Sequence, residues 1–278
     1  MKTLLPDRLP PIPGIASSIL ALRINTEEGE RKLFDLVQKD PVILSRIIGL
    51  ANSPVFGTNR RIYRLRDAAA VIGIKRIKMI SLSSAMMTAL SRPLPGKLDV
   101  RCLWLHSLSV AMTMDTIGRH MPESMRPPED AIYLAGLLHD IGFLVLDCAH
   151  PDLSDRLQAA MISNPGVPVT EIEAGIGGAD HSSLGAELMR RWGLPPPIAE
   201  VLEFHHAPPD SRPQSGEPLV TMTGIAERLV PACGITENVP HGIGKEEWEK
   251  IGIDPSLEAE ITLKVSRHAK DAEALAAS

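Results

Sequence analysis

The chain carries nine histidines. Five of them, His106, His139, His181, His205 and His206, lie on or beside stretches with helical periodicity. His139 is followed at once by Asp140, inside the apolar run "AGLLHDIGFL". Imidazole is the commonest protein ligand for transition metals, and a neighbouring carboxylate widens the choice toward iron or manganese. A carboxylate also has two oxygens that can face two cations. Such groups, offered from several helices of a bundle, are a familiar way of holding two metals in an apolar interior. Each residue alone has a plainer explanation. His106 can be a satisfied core histidine, and His139-Asp140 can close a helix before Gly142, a residue type suited to a C-terminal stop. Asp180 or Ser182 can be an N-cap with His181 incidental, and His205-His206 can be a polar helix end before prolines. The metal reading draws its weight from the ordered succession of all of them.

Prolines and glycines cut the chain into short helices that would carry these groups. A Pro-rich arm precedes helical spacing from Ile15. Thr26 is placed to cap the next segment, with acids in its first turn, and Asp40-Pro41 opens another. Residues 64–90 read as two helices with Gly73 between them, and 92–97 as a linker. The second half begins with a helix over Val100–His120 that carries His106, and residues 129–146 read as one helical stretch that includes the His-Asp pair. A helix starting near His181 ends at Gly193-Pro195, and others precede Pro208 and cover residues 217–234. The tail from about 245 reads as one or two amphipathic helices. No alternating strand pattern and no repeat is visible, so the expected class is all-α.

Composition narrows the field. The chain has 278 residues, enough for one large domain or two small ones. Aromatics make up only 3%, which leaves the core to aliphatic residues and methionine and favours helices over sheets. The formal net charge of -5 argues against general attraction to nucleic acid or an acidic membrane. Three widely spaced cysteines, Cys102, Cys148 and Cys233, fit neither a disulfide framework nor a CxxC zinc site, and read as thiols in a reducing compartment. The prolines at 6, 10, 11 and 13 interrupt any secretory leader, and no stretch reads as the roughly 20 apolar residues that span a membrane. The expected location is the cytoplasm.

The stretches "LPPIPGIASSILAL", "DPVILSRIIGLANSPVFG", "DAAAVIGIKRIKMISLSSAM", "LWLHSLSVA", "AGLLHDIG" and "DHSSLGAELMRRWGLPPPIAEVLEFHHAP" carry a resemblance. Their succession over about residues 5–230 resembles the HDOD family, a branch of the HD superfamily related to the HD-GYP phosphohydrolases. The resemblance implies an all-α unit of two packed helical lobes, residues 1–97 and 98–278, the second HD-like. It implies a bacterial signal-transduction module, with a signalling protein as partner. It also implies a metal centre in which His106, His139 and Asp140 hold one ion, and Asp140 bridges to a second ion held by His181, His205 and His206. One or two ions are expected, iron first, with manganese, nickel or zinc as alternatives. Asp140 would be the bridging ligand and a proton acceptor if the centre works as a metal-dependent phosphohydrolase on a nucleotide or phosphoester. A metal-free scaffold is the remaining reading.

The chain departs from the pattern in places. Where the HD pattern closes with an aspartate, "TGIAERLV" has Glu227, whose longer stem still offers a carboxylate. One turn before His106 stands Cys102, where some HD-GYP proteins carry an extra glutamate ligand; a three-metal site is therefore not expected. "APPDSRPQSGEP" follows the His-His pair in place of the Gly-Tyr-Pro signature, so cyclic-di-GMP hydrolysis is not supported. Outside these motifs, Arg60, Arg61, Arg64, Arg66, Lys75, Arg76 and Lys78 form a basic segment, read as a solvated face over an anion-binding patch. Met79, Met86 and Met87 read as core.

Overall fold

The computed structural model describes residues 9–58, 60–91, 96–178, 180–208, 211–230 and 242–266. They form helices joined by turns, with no strand among the described residues, as the aliphatic composition predicts. Two compact units emerge, residues 10–89 and residues 90–266.

The first unit is built from α1 (Gly14–Leu20), α2 (Glu27–Lys39), α3 (Pro41–Ala51), α4 (Leu65–Ile72) and α5 (Ile74–Leu90). Its corners follow the local chemistry. The Thr26 side chain accepts from the Gly29 N–H and starts α2. Asp40 ends α2 and starts α3, its carboxylate accepting from Val42 and Ile43 with Pro41 beside it. Gly73, at φ +93°, separates α4 from α5. Leu33, Val37, Ile43, Ile47 and Ile72 are buried. So are Met79, Met86 and Met87, as core methionines should be. The basic segment splits: Arg60, Arg61, Arg64 and Arg66 are exposed, whereas Lys78 is drawn in to donate to the Leu22 carbonyl at 2.8 Å.

The second unit contains α6 (Val100–His120), α7 (Glu129–Leu138), α8 (Ile141–Ala149), α9 (Pro151–Ser163), α10 (Val169–Ile176), α11 (His181–Arg191), α12 (Pro196–Phe204), α13 (Leu219–Leu229) and α14 (Lys245–Lys250), followed by a further helical stretch at 258–266. Asp99 caps α6, accepting from Arg101 and Cys102. This helix is the spine of the unit, flanked by α7 and α13, while α11 lies against α8 and α12.

Two expectations change here. The stretch 129–146 is not one helix: it breaks at His139 and Asp140 into α7 and α8. And residues 129–149, taken together, are apolar and long enough to cross a membrane, with mean hydropathy 1.6. That stretch is 89% buried inside the fold, where it packs against α6 and α11. Cys102 and Cys148 form no disulfide; Cys233 lies outside the described residues.

Candidate metal centre

Two glycines let four helices meet closely enough, in two pairs, to form the site. A Cβ on Gly136 of α7 would come within 2.4 Å of the Ala111 Cα on α6, so only glycine permits this approach. It brings His139 at the end of α7 beside His106 on α6. A Cβ on Gly142 would come within 1.8 Å of the His181 carbonyl oxygen. Gly142 is therefore not a helix stop; it lies in the first turn of α8 and lets α8 touch the start of α11, which sets Asp140 beside His181.

Asp140 holds the N-cap position of α8, where an aspartate ordinarily accepts from the helix amides. Here its side chain makes no cap hydrogen bond. It turns instead into a cluster of imidazoles, fully buried. Its Oδ2 lies 3.0 Å from His139 Nε2 and 3.4 Å from His106 Nε2. Its Oδ1 lies 3.7 Å from His181 Nε2 and 3.6 Å from His205 Nε2. Glu227, on α13, completes the first side: its Oε1 is 2.7 Å from His139 Nε2 and 3.3 Å from His106 Nε2. On the second side, His181 Nε2 and His205 Nε2 are 3.4 Å apart, and the His206 ring centroid lies 4.0 Å from that of His205. Ligand atoms of His106, His139 and Glu227 form one group within 4.8 Å of one another, and those of His181, His205 and His206 form another.

All seven residues read from the sequence and the family resemblance thus converge. Two of the plainer explanations hold as well, without competing: Asp180 does cap α11, and His205 does end α12. That of His106 as a satisfied core histidine does not, since neither of its ring nitrogens has a hydrogen-bond partner.

The rings are aimed by their far nitrogens. His139 Nδ1 donates to the Gly136 carbonyl at 2.8 Å, and His205 Nδ1 to the Leu202 carbonyl at 2.8 Å. His181 Nδ1 donates to Glu173 Oε1 at 2.8 Å. Acceptors at Nδ1 leave Nε2 as the inward atom in each case. No motif marks Glu173, eight residues before His181, or Phe143, whose ring stacks on His181 at 4.2 Å.

The centre is electrostatically two-faced. Burial by itself lowers a histidine pKa, but Glu227 and then Asp140 outweigh it at His106, which is raised to about 8. At His139 burial is likewise overcome, by Asp140 and Glu227, and the pKa rises well above its usual value. Across Asp140, burial and the neighbouring His206 take His205 down to about 4; burial and His181 do the same to His206. Burial would raise the two carboxyls, yet the facing imidazoles hold Asp140 and Glu227 well below the carboxylate range.

These donors fit a metal. Both Asp140 oxygens, His106 Nε2, His139 Nε2 and Glu227 Oε1 are buried, and none has a hydrogen-bond partner despite the short separations. Buried polar groups are rarely left so. Lone pairs that crowd together without hydrogen-bond geometry are what a coordination sphere supplies. Arg190 and Arg191, the basic residues that follow His181 on α11, pair with Glu203 and Glu187 on the surface and do not turn toward the centre.

A family model described as the HDOD domain matches residues 9–208. The chain belongs to the HDOD family. An HDOD domain protein with unknown function from Geobacter sulfurreducens has a crystal structure similar to this one at TM-score 0.77 and 23% identity, covering 97% of this chain and 93% of that one. A protein described as a candidate signal transduction protein of Marinobacter aquaeolei VT8 reaches TM-score 0.80 at 23% identity, covering 97% of this chain and 59% of that one. A candidate metal-dependent phosphohydrolase of Shewanella amazonensis SB2B reaches 0.63 at 19%, covering 95% of this chain and 92% of that one. At these identities the likeness shows the HDOD fold. An uncharacterized protein of Treponema pallidum (strain Nichols) is 24% identical over 228 residues, 81% of this chain; the HDOD chain spans 43% of the length of that relative.

Proposed function

We propose that this HDOD protein is a bacterial signal-transduction module whose second unit keeps a two-ion metal centre as a regulatory element. One observation carries the reading: the two oxygens of a single buried carboxylate, Asp140, face two separate ligand groups. His106, His139 and Glu227 would hold one ion, His181, His205 and His206 the other, and Asp140 would bridge them. Iron is the proposed metal, since mixed imidazole and carboxylate donors suit it; manganese, nickel and zinc are the alternatives. A bound divalent ion would supply Lewis acidity. Asp140 is proposed as bridge in preference to base, because a carboxylate held so firmly ionised is a poor proton acceptor.

The partner is proposed to be a signalling protein in the bacterial cytoplasm. A nucleotide or phosphate ligand at the centre is the subordinate reading, favoured by the donor set alone. The test is hydrolysis of bis-p-nitrophenyl phosphate and p-nitrophenyl phosphate by protein supplied with iron(II) and manganese(II). No turnover beyond that of a His139→Ala variant is expected. Turnover that depends on His139 would replace the regulatory reading with an enzymatic one.

A further inference from the structure

Glu173 belongs to none of the ligand groups. It lies on α10, nearly buried, and its Oε1 accepts two hydrogen bonds from one residue: the His181 backbone N–H at 2.9 Å and the His181 Nδ1–H at 2.8 Å. Its Oε2 is buried without a hydrogen-bond partner. Asp180 caps α11 through the Ser183 N–H at 2.7 Å and Glu173 satisfies a second first-turn amide, that of His181; the bond to the His181 ring is the one that capping does not explain.

The two bonds together fix both position and chemistry. The backbone bond holds the first residue of α11 in place. The ring bond requires the proton to sit on Nδ1, since a carboxylate can only accept, and so leaves the Nε2 lone pair pointing toward Asp140 and His205. Phe143 stacks on the ring with an interplanar angle of 9° and blocks rotation about its own axis. His139 and His205 are aimed by neutral carbonyls. Of His139, His181 and His205, it is His181 whose far nitrogen meets a carboxylate.

We infer that Glu173 is a positioning residue for the imidazole half of the centre, holding His181 in the tautomer that binds an ion and making it a stronger donor through its negative charge. The inference rests on the proposed metal reading. It assigns to α10 a role in ion selection between the halves: the half without a carboxylate ligand of its own, apart from the shared Asp140, receives a negative charge at one remove. Partners of this kind, when removed, cost about 10–100-fold in metal affinity.

The test is cobalt(II) titration of the metal-free full chain, followed by visible absorption, for the wild type, Glu173→Gln and Glu173→Ala. Glutamine keeps an acceptor oxygen and the volume but not the charge. The wild type should take two ions. Glu173→Gln should weaken the second ion about tenfold and Glu173→Ala about a hundredfold, with the first unchanged. The Gln variant should unfold within a few degrees of the wild type, since its packing is kept. Nitrogen-15 NMR of the metal-free protein gives an independent reading: the His181 proton should sit on Nδ1 in the wild type and redistribute to Nε2 in Glu173→Ala. A wild type that binds two ions while both variants bind them equally well, or lose both together, would overturn this inference alone. A wild type that binds no cobalt would overturn it together with the metal reading.

Discussion

On one side of Asp140 stand His106, His139 and Glu227; on the other stand His181, His205 and His206. Both sides are buried, except that His206 is half-buried, and both present imidazole, yet their electrostatics run in opposite directions. The first side has a carboxylate of its own, and its histidines hold protons more tightly than usual, His106 to about 8. The second has only imidazoles, which repel each other's charge, and His205 and His206 fall to about 4. Burial depresses both sets alike. The difference therefore comes from Glu227 and from which neighbours each ring faces. One side is built to receive positive charge, as protons or as an ion; the other stays neutral until an ion arrives.

The largest effect should come from removing what the halves share. Asp140→Asn is expected to abolish both ions and to destabilise the chain by about 3–5 kcal/mol, because it strips a buried counter-charge from His106 and His139. Metal analysis and urea unfolding check this; loss of only one ion would break the bridging account. Gly142→Ala should come next, costing roughly 3 kcal/mol, since the new Cβ would sit 1.8 Å from the His181 carbonyl oxygen. It should empty the imidazole half first, as α8 and α11 are forced apart.

Proton release sharpens the comparison. At pH 7, an ion entering the first half must displace the proton that His106 holds with a pKa of about 8, whereas His205 and His206, at about 4, have none to lose. Calorimetry in two buffers of different ionisation enthalpy should show proton release for one ion and little for the other. Stability of the metal-free chain follows the same division. For His205 and His206 the folded pKa lies below the unfolded value of about 6.5, so the unfolded chain takes up protons first and stability falls as pH drops from about 6.5 toward 4. For His106 the folded pKa lies above, so its contribution is full below about 6.5 and fades as pH rises through about 8. Urea unfolding across pH 4–9 should therefore show a maximum between, and Glu227→Gln should flatten its alkaline side. The smallest effect belongs to the surface: Arg190→Ala removes an exposed pair with Glu203 and should change stability by less than about 1 kcal/mol, with metal content unchanged.

The caps at Thr26 and Asp40, the span of α6 and the glycine between α4 and α5 were legible because each depends on residues a few positions apart. So was the ordered histidine set. Glu227 emerged only through the family resemblance, and its carboxylate does reach His106 and His139. The break at His139-Asp140 was legible as a helix end from the polar pair itself, although apolar periodicity runs on through 129–146. Gly142 was read as a stop, and its role as a contact point appears only once His181 lies against it. Glu173 was hidden for a simpler reason: a buried glutamate on a short helix has no sequence mark until its partner's ring nitrogen is placed beside it.

The central claim is that Asp140 joins two metal half-sites. Elemental mass spectrometry on untagged protein purified without chelator tests it most directly, on the wild type and on His139→Ala and His205→Ala. The account predicts up to two ions per chain in the wild type, dominated by iron, with each variant losing the ion of its own half. No bound metal in the wild type, even after reconstitution with iron(II) and manganese(II), would contradict it.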